Sequence, residues 1–356
     1  MKRVLISIVL LLSAAVAFGQ ANYGKANQAY VMYESERDKG TNIDLMYTYL
    51  VDSYKLFAAL AEDPSNTNIE GTKNRLRAMY PALLNGAIYY SDKRQPQKGL
   101  DCAAGYIDIP QLKVFRTDLF QRDAQYPSVV YYAATSAYAL HKRPQAIKYF
   151  NEFLSLEQQG VTLDEGQVKS SYVYLNMIYN SQKDYAEQEK ILEKAAKKYP
   201  VSLDFLYNLV NVHIATNNMA KLVNTIDRIL AIDPNNTQVL PIKARIMEKQ
   251  GNNEQALEAY GRLYAMNPNS IEIISGLARA NFNIATKIVN EGATIADDAQ
   301  YAVVRQRASQ YLMDAHDLFI KILQAEPTSV KYMQGLAGVY QFMDMDSEYE
   351  VMKQII

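Results

Sequence analysis

The 356-residue sequence contains no tryptophan, a single cysteine and only three histidines. Because Cys102 has no second cysteine to pair with, packing rather than a disulfide has to stabilise the chain, and we expect an inert thiol. Lysine and arginine together number 37 against 38 aspartates and glutamates, which gives a formal net charge of −1. This balance argues against nucleic acid as a partner, because binding to phosphates requires a clear positive excess.

The motifs that mark common catalytic and metal sites are missing as well. The sequence has no glycine-rich phosphate loop, no Gly-x-Ser-x-Gly elbow and no His-Glu-x-x-His pair. The three histidines do not cluster along the chain. We therefore predict no catalytic residue, no cofactor and no metal, although carboxylates distant in sequence can still pair in an active site.

Long apolar runs are confined to the N-terminus. A basic start, Met1-Lys2-Arg3, precedes the apolar stretch from Val4 to Ala17. This stretch is too short to span a bilayer comfortably, so residues 1–19 are predicted to be a signal peptide, with an uncleaved anchor as the alternative. Cleavage before Gln20 would leave a net charge of −3 and no membrane span. We expect a periplasmic or otherwise exported protein without a lipid anchor, since no cysteine follows the apolar run.

What the sequence does contain is a repeat. Pro200, Pro234 and Pro268 are each separated by 34 residues, and the last two open polar turn clusters. Between them, apolar residues recur at steps of three and four, as on the buried face of a helix. Two short helices joined by a polar break cannot each bury such a face alone, so the pairs must stack. The period predicts a stack of helical hairpins.

This pattern resembles the tetratricopeptide repeat family. The resemblance implies an all-α, right-handed α-solenoid of helix-turn-helix repeats. Two departures are the absent tryptophan near the repeat start and the polar residues Gln188 and Asn176 at positions where the family has small ones. Besides the closing prolines, the resemblance rests on small residues where helices touch and on the aromatic that follows: Ala134, Ala146, Phe150, Ala244, Ala256 and Tyr260.

The spacing also predicts the organisation along the chain. Pro268 and Pro327 are separated by one period plus 25 residues, which lengthens both arms of one hairpin by about 12 residues, or about 18 Å. Residues 111–123 are predicted to form a linker helix. The long hairpin and the ending that follows it look like those of exported tetratricopeptide repeat proteins of Gram-negative bacteria. The predicted regions are divergent helical pairs at 20–126, regular repeats at 127–268, the elongated hairpin at 269–327 and capping helices at 328–356.

The first helix of each pair is expected to line a concave wall that could hold a partner. The chain has 28 tyrosines against 10 phenylalanines, and tyrosine combines an apolar ring with a hydroxyl that suits partly wet surfaces. An equally weighted alternative is that half of the tyrosines are ordinary packing between helices. The predicted wall consists of Tyr131, Tyr132, Tyr138, Tyr174, Tyr207, Asn208, Asn211, Arg245 and Arg279.

From these patterns we expect a non-catalytic scaffold in the cell envelope that binds a protein or peptide. One alternative is a helical toroid enzyme that acts on polysaccharide, against which the lack of tryptophan counts. The other is a glycan-binding protein on a helical-repeat scaffold, which would normally carry a lipid-anchoring cysteine after the signal peptide.

Overall fold

The computed structural model describes residues 22–116, 120 and 123–356, and within them no strand occurs. The predicted signal peptide, residues 1–19, lies outside the described residues. This part of the chain forms sixteen α-helices. They are α1 at 22–39, α2 at Ile43–Glu62, α3 at Ile69–Asp92, α4 at Pro96–Asp108, α5 at Tyr126–Ala139, α6 at Arg143–Gln158, α7 at Glu165–Gln182, α8 at Tyr185–Lys198, α9 at Leu203–Ala215, α10 at Met219–Ile232, α11 at Leu240–Lys249, α12 at Asn253–Met266, α13 at Ile271–Gly292, α14 at Asp298–Ala325, α15 at Val330–Phe342 and α16 at Asp346–Ile355.

The chain divides into two compact units between Ile191 and Leu192. In each unit, helices pack mainly on their neighbours in sequence. Pro200, Pro234 and Pro268 all lie in turns that join the second helix of one pair to the first helix of the next. The predicted all-α fold of repeated helix pairs is thereby confirmed.

The turn inside most pairs holds one residue in the left-handed backbone conformation, with φ between 52° and 74°. Except at Gly40, this residue lies two positions before the second helix begins. A left-handed residue reverses the chain direction in a tight turn. Glycine occupies it in two turns, and larger side chains occupy it in the others. The residues concerned are Gly40, Arg94, His141, Lys183, Asn217, Gly251 and Asp344.

Glycine at a strained turn should stabilise the chain. We expect Lys183→Gly to raise the free energy of unfolding by about 0.5–1 kcal/mol, because the left-handed conformation is costly for a residue with a side chain. Urea denaturation followed by circular dichroism measures the change. The reverse substitution, Gly251→Lys, provides the matched test. Since no atom lies within 4 Å of the added Cβ, its expected loss of about 1 kcal/mol is purely conformational. A stabilised Gly251→Lys protein would refute the argument.

The elongated hairpin is present near the C-terminus, as predicted. Its arms α13 and α14 contain 22 and 28 residues, whereas α9 to α12 contain 10 to 14. The tip follows Gly292, and the side chain of Asp297 accepts a hydrogen bond from the backbone N–H of Gln300 (2.8 Å) to start α14. Small buried residues, Ala285 and Ala308, let the two arms approach closely.

The predicted linker helix at 111–123 is wrong for residues 111–116. The chain forms two short 3-10 turns there, Ile109–Gln111 and Lys113–Phe115. The proline at position 110 has no N–H to donate, and Leu112 adopts an extended conformation (φ −62°, ψ 145°) between the two turns. The remainder of that prediction falls largely on residues outside the described part.

Cys102 is fully buried in α4, with its Sγ packed against the backbone of Gly86 in α3. Burial raises the pKa of this thiol to about 12, so almost none of it is thiolate at neutral pH. These facts support the prediction of an inert thiol.

Candidate binding surface

Three of the predicted tyrosines belong to one aromatic cluster in the first unit. The ring of Tyr174 on α7 stacks on Phe150 of α6, with centroids 5.1 Å apart and planes within 14°. Tyr138 on α5 lies 4.8 Å from Tyr174, and Tyr131 lies 5.3 Å from Phe153. Phe150 and Phe153 are fully buried, whereas the three tyrosines are only partly so. These tyrosines therefore pack against the neighbouring helix and still present an edge to solvent.

Two apolar side chains that the sequence analysis missed lie on the same helix as Tyr174. Val173 and Met177 are 40% and 47% exposed, and the Met177 Sδ is 4.0 Å from the Tyr138 hydroxyl. They are four residues apart, which places them on one face of α7 outside its buried stripe. Their four-residue spacing in the sequence could have indicated this exposed apolar face. We name Tyr138, Val173, Tyr174 and Met177 the first-helix patch.

Tyr132 takes a different position, at a cleft between α3 and α5. Its hydroxyl lies against Gly99 of α4, where even a Cβ would collide with it. The cleft has a volume of about 190 Å³, and Ile88 at its side is 49% exposed. It is lined by Leu84, Ala87, Ile88, Ser91 and Asp92 of α3 and by Gln125, Ser128, Val129 and Tyr132 at α5.

The other five predicted residues belong to the second unit. The Tyr207 hydroxyl accepts a hydrogen bond from the Asn236 side-chain amide (2.7 Å), which lies in the turn between α10 and α11. Asn208 donates its side-chain amide to the backbone carbonyl of Asp204 (2.8 Å). Asn211 is exposed. Tyr207 thus holds a turn in place, whereas Asn211 faces solvent.

Both predicted arginines form ion pairs that join two first helices. Arg279 on α13 donates from Nη2 to the Glu248 Oε2 on α11 (3.1 Å), and Arg245 on α11 pairs with Glu272 on α13. The partners are separated by 31 and 27 residues, which is close to one repeat. That separation could have predicted them, because residues about one period apart lie on neighbouring first helices. Each arginine charge is already balanced within the chain.

Glu248 is the centre of a small polar network. It also accepts a hydrogen bond from the Tyr260 hydroxyl at 2.8 Å. Burial on its own would raise the pKa of Glu248, but the hydrogen bonds from Arg279 and Tyr260 and the arginine's charge hold that pKa below its usual range. Burial and the hydrogen bond to Glu248 raise the pKa of Tyr260 to about 12. The network therefore favours the charged carboxylate.

This network should make the second unit acid-sensitive. Because the folded pKa of Glu248 lies below the unfolded value of about 4.3, its contribution is complete above that value and is lost as the pH falls through the folded pKa. We expect Glu248→Gln to lower the free energy of unfolding by about 1 kcal/mol at pH 7, since solvent still reaches Arg279. Urea denaturation at pH 7, 5 and 3 should show this difference shrinking with acid. The exposed Glu258→Gln change is the control, and a difference independent of pH would contradict the assignment.

In the described residues, no group of three histidine, cysteine, aspartate or glutamate side chains is placed to hold a metal ion. Over the same residues, no helix has the length and apolar character needed to cross a bilayer.

Residues 179–246 match the family model of the tetratricopeptide repeat. This segment carries tetratricopeptide repeats. Such repeats suggest a protein-interaction scaffold as the general role. The matched segment includes Tyr207, Asn208, Asn211 and Arg245 of the predicted wall.

Three solved structures illustrate what this chain is similar to. MamA from Desulfovibrio magneticus RS-1 is 14% identical over 52% of this chain and 90% of its own, with a TM-score of 0.36. A tetratricopeptide repeat protein from Parabacteroides merdae is 14% identical over 78% and 96% of the two chains (TM-score 0.33). A repeat protein from Bacteroides fragilis is 13% identical over 73% and 97% (TM-score 0.31). No curated protein is similar enough in sequence to count as a relative.

The polar departures from the tetratricopeptide repeat pattern are explained by one contact. The Gln188 side-chain amide donates to the Asn176 Oδ1 at 2.9 Å, and both side chains are buried. Of the polar atoms that burial removes from water, this contact pairs the Gln188 amide N–H with the Asn176 oxygen.

Proposed function

We propose that this protein is an exported, non-catalytic scaffold of the cell envelope that binds a protein or peptide through the first helices of its repeats. The observation that carries the proposal is the first-helix patch. It combines two exposed apolar side chains, Val173 and Met177, with the part-exposed rings of Tyr138 and Tyr174.

The composition of the patch suits protein recognition. Fully covering a side chain such as Val173 or Met177 contributes about 1.5–3 kcal/mol, and tyrosine is enriched among the residues that dominate interface energies. The stack of Tyr174 on Phe150 restricts its ring before a partner arrives, so less conformational entropy is lost on binding. Methionine adds a flexible side chain that adapts to different partner shapes.

In this proposal, the second unit contributes polar contacts to the partner. Asn211 faces solvent and carries both a donor and an acceptor, which can hold an extended backbone. Tyr207 and Asn208 support the region around it through their contacts within the chain. Arg245 and Arg279 would contact a partner only in competition with Glu272 and Glu248, so we assign them a secondary part.

Export is the part of the proposal that rests on residues 1–19. It is tested by expressing the full chain in a Gram-negative bacterium, separating the cell fractions and sequencing the N-terminus of the purified protein. A protein from the envelope fraction that begins at Gln20 is expected. A cytoplasmic protein that retains Met1 would reject export.

Binding is tested by site-specific photocrosslinking in cells. A photoreactive amino acid at position 173 or 177 should yield discrete crosslinked partner bands that mass spectrometry identifies. The matched control is position 303 on α14 in the second unit, where Val303 is even more exposed (56%). The same bands at all three positions would reject the patch as the binding surface.

The crosslinked partner then allows a quantitative test. Val173→Glu combined with Met177→Glu should weaken partner binding at least tenfold, which corresponds to about 1.4 kcal/mol. The unfolding transition should hardly move, because both side chains are exposed. The control variant Val303→Glu should bind normally. Equal loss of stability and binding would indicate a structural role instead.

A further inference from the structure

The cleft between α3 and α5 and the first-helix patch both include residues of α5. Tyr132 lines the cleft and Tyr138 belongs to the patch. Six residues of helix separate them, which is a rise of about 9 Å along the helix axis. A continuous peptide could therefore occupy both sites.

The interior of the cleft is apolar. Leu84 and Ala87 of α3 face Val129 at the start of α5, and Ile88 remains 49% exposed beside them. The volume of about 190 Å³ is of the size of one large side chain rather than of a folded element. An aliphatic or aromatic side chain is the occupant that such walls favour.

The charge of the residues that line the cleft is negative. Asp92 is the charged residue among those that line it, and within the described part of the chain it makes no ion pair. The two cations that follow it in sequence form no ion pair with it in the part of the chain that the structure describes. The Lys93 ammonium lies over the Tyr89 ring at 5.7 Å, and Arg94 occupies the left-handed turn position. A cation of the partner would complement this carboxylate.

We propose, resting on the function proposed above, that the cleft receives an apolar side chain of a partner peptide that stands next to a lysine or arginine. The apolar side chain enters between α3 and α5, and the basic residue pairs with Asp92. At about 3.3 Å per residue of extended chain, a second apolar residue about four positions away reaches the first-helix patch.

The probe is a phage-displayed library of random twelve-residue peptides, selected on the purified protein. Enriched peptides should share an apolar residue beside lysine or arginine. For a synthetic copy of one such peptide, fluorescence polarisation should show binding at least tenfold weaker to Ile88→Glu. The matched control is Ile69→Glu on the same helix, since Ile69 is equally exposed at 48%. If Ile88→Glu proves unstable, Ile88→Ala replaces it.

A charge reversal tests the role of Asp92. Selection on Asp92→Lys should enrich aspartate or glutamate beside the apolar residue, and a lysine-containing peptide should bind it about three- to fivefold more weakly. The control is Asp52→Lys, an exposed carboxylate that lines a different cleft between α1 and α2. Peptides without a basic residue, or an unchanged preference in Asp92→Lys, would overturn the inference.

The outcome also separates this inference from the proposed function. If enriched peptides bind Ile88→Glu normally but fail on the Val173→Glu and Met177→Glu protein, the cleft assignment is wrong and the proposed function stands. If no peptide is enriched, the inference is rejected, and the crosslinking experiment decides the proposed function independently.

Discussion

Replacing Phe150 with alanine is expected to lower the free energy of unfolding by about 3–5 kcal/mol, because a fully buried aromatic ring is lost and a cavity is left behind. The same change removes the surface on which Tyr174 stacks and contacts of Tyr131. The first-helix patch should then lose its fixed geometry, so partner binding should weaken together with stability. Urea denaturation and the crosslinking yield at position 173 measure the two effects.

Two further variants separate packing from stacking. Phe150→Leu conserves most of the volume and should cost less than about 1.5 kcal/mol, while still removing the aromatic face beneath Tyr174. The half-buried Phe342 in the second unit provides the control. Its ring packs at the margin of a hydrophobic cluster and forms a T-shaped pair with Phe282 at 5.7 Å, but it is only half-buried, so Phe342→Ala should cost clearly less than Phe150→Ala. Equal losses at positions 150 and 342 would mean that burial does not determine the cost.

Gly276→Ala is expected to destabilise the second unit by about 1–3 kcal/mol, although alanine normally stabilises a helix by about 1 kcal/mol relative to glycine. The reason is steric. A Cβ at position 276 of α13 would overlap the ring of Tyr260 on α12. Moving that ring would also disturb the hydrogen bond from Tyr260 to Glu248. Urea denaturation should show the loss, and hydrogen exchange should locate it in α12 and α13.

Another helical glycine provides a matched control, because alanine should stabilise the protein there instead of destabilising it. Gly261 lies in α12, and no atom lies within 4 Å of a Cβ added there, so Gly261→Ala should raise the free energy of unfolding by up to about 1 kcal/mol. Combining Gly276→Ala with Tyr260→Leu should recover part of the loss, because a smaller side chain makes room. A stabilised Gly276→Ala protein would show that the ring moves without cost.

The steric overlap at Gly276 explains why the same spacing of a glycine, a proline and an aromatic residue occurs twice in the sequence. Gly276 stands eight residues after Pro268 and Tyr260 stands eight before it. Gly335 and Phe319 have the same relation to Pro327, and a Cβ at position 335 would lie 2.6 Å from the Phe319 ring. The tripeptide Gly-Leu-Ala occurs at both 276–278 and 335–337, and at each site the glycine makes room for the aromatic ring of the preceding helix.

The helices and their pairing could be predicted because the determinants are local. A proline at a fixed phase, apolar residues three and four apart and polar breaks between them act over a few residues. Even the elongated hairpin followed from the excess of 25 residues before Pro327. The prediction of a linker helix is wrong at 111–116 because Leu112 is extended and interrupts the helical conformation.

The binding surface was less predictable, since exposure depends on what the neighbouring helix presents. Tyr207 looked free in the sequence, but Asn236 of a distant turn hydrogen-bonds to its hydroxyl. Arg279 looked like a cation for a ligand, but Glu248 pairs with it. Val173 and Met177 were not predicted to be part of the binding surface, although both are exposed in the structure.

By itself, the sequence determined that the chain is built from paired helices, where each pair turns and which hairpin is long, because those features depend on spacing along the backbone. Only the tertiary structure decided which side chains are already engaged within the chain and which still face solvent. The physical reason is that hydrogen bonds, ion pairs and burial are shared between helices one repeat apart, and no spacing rule specifies how those faces meet.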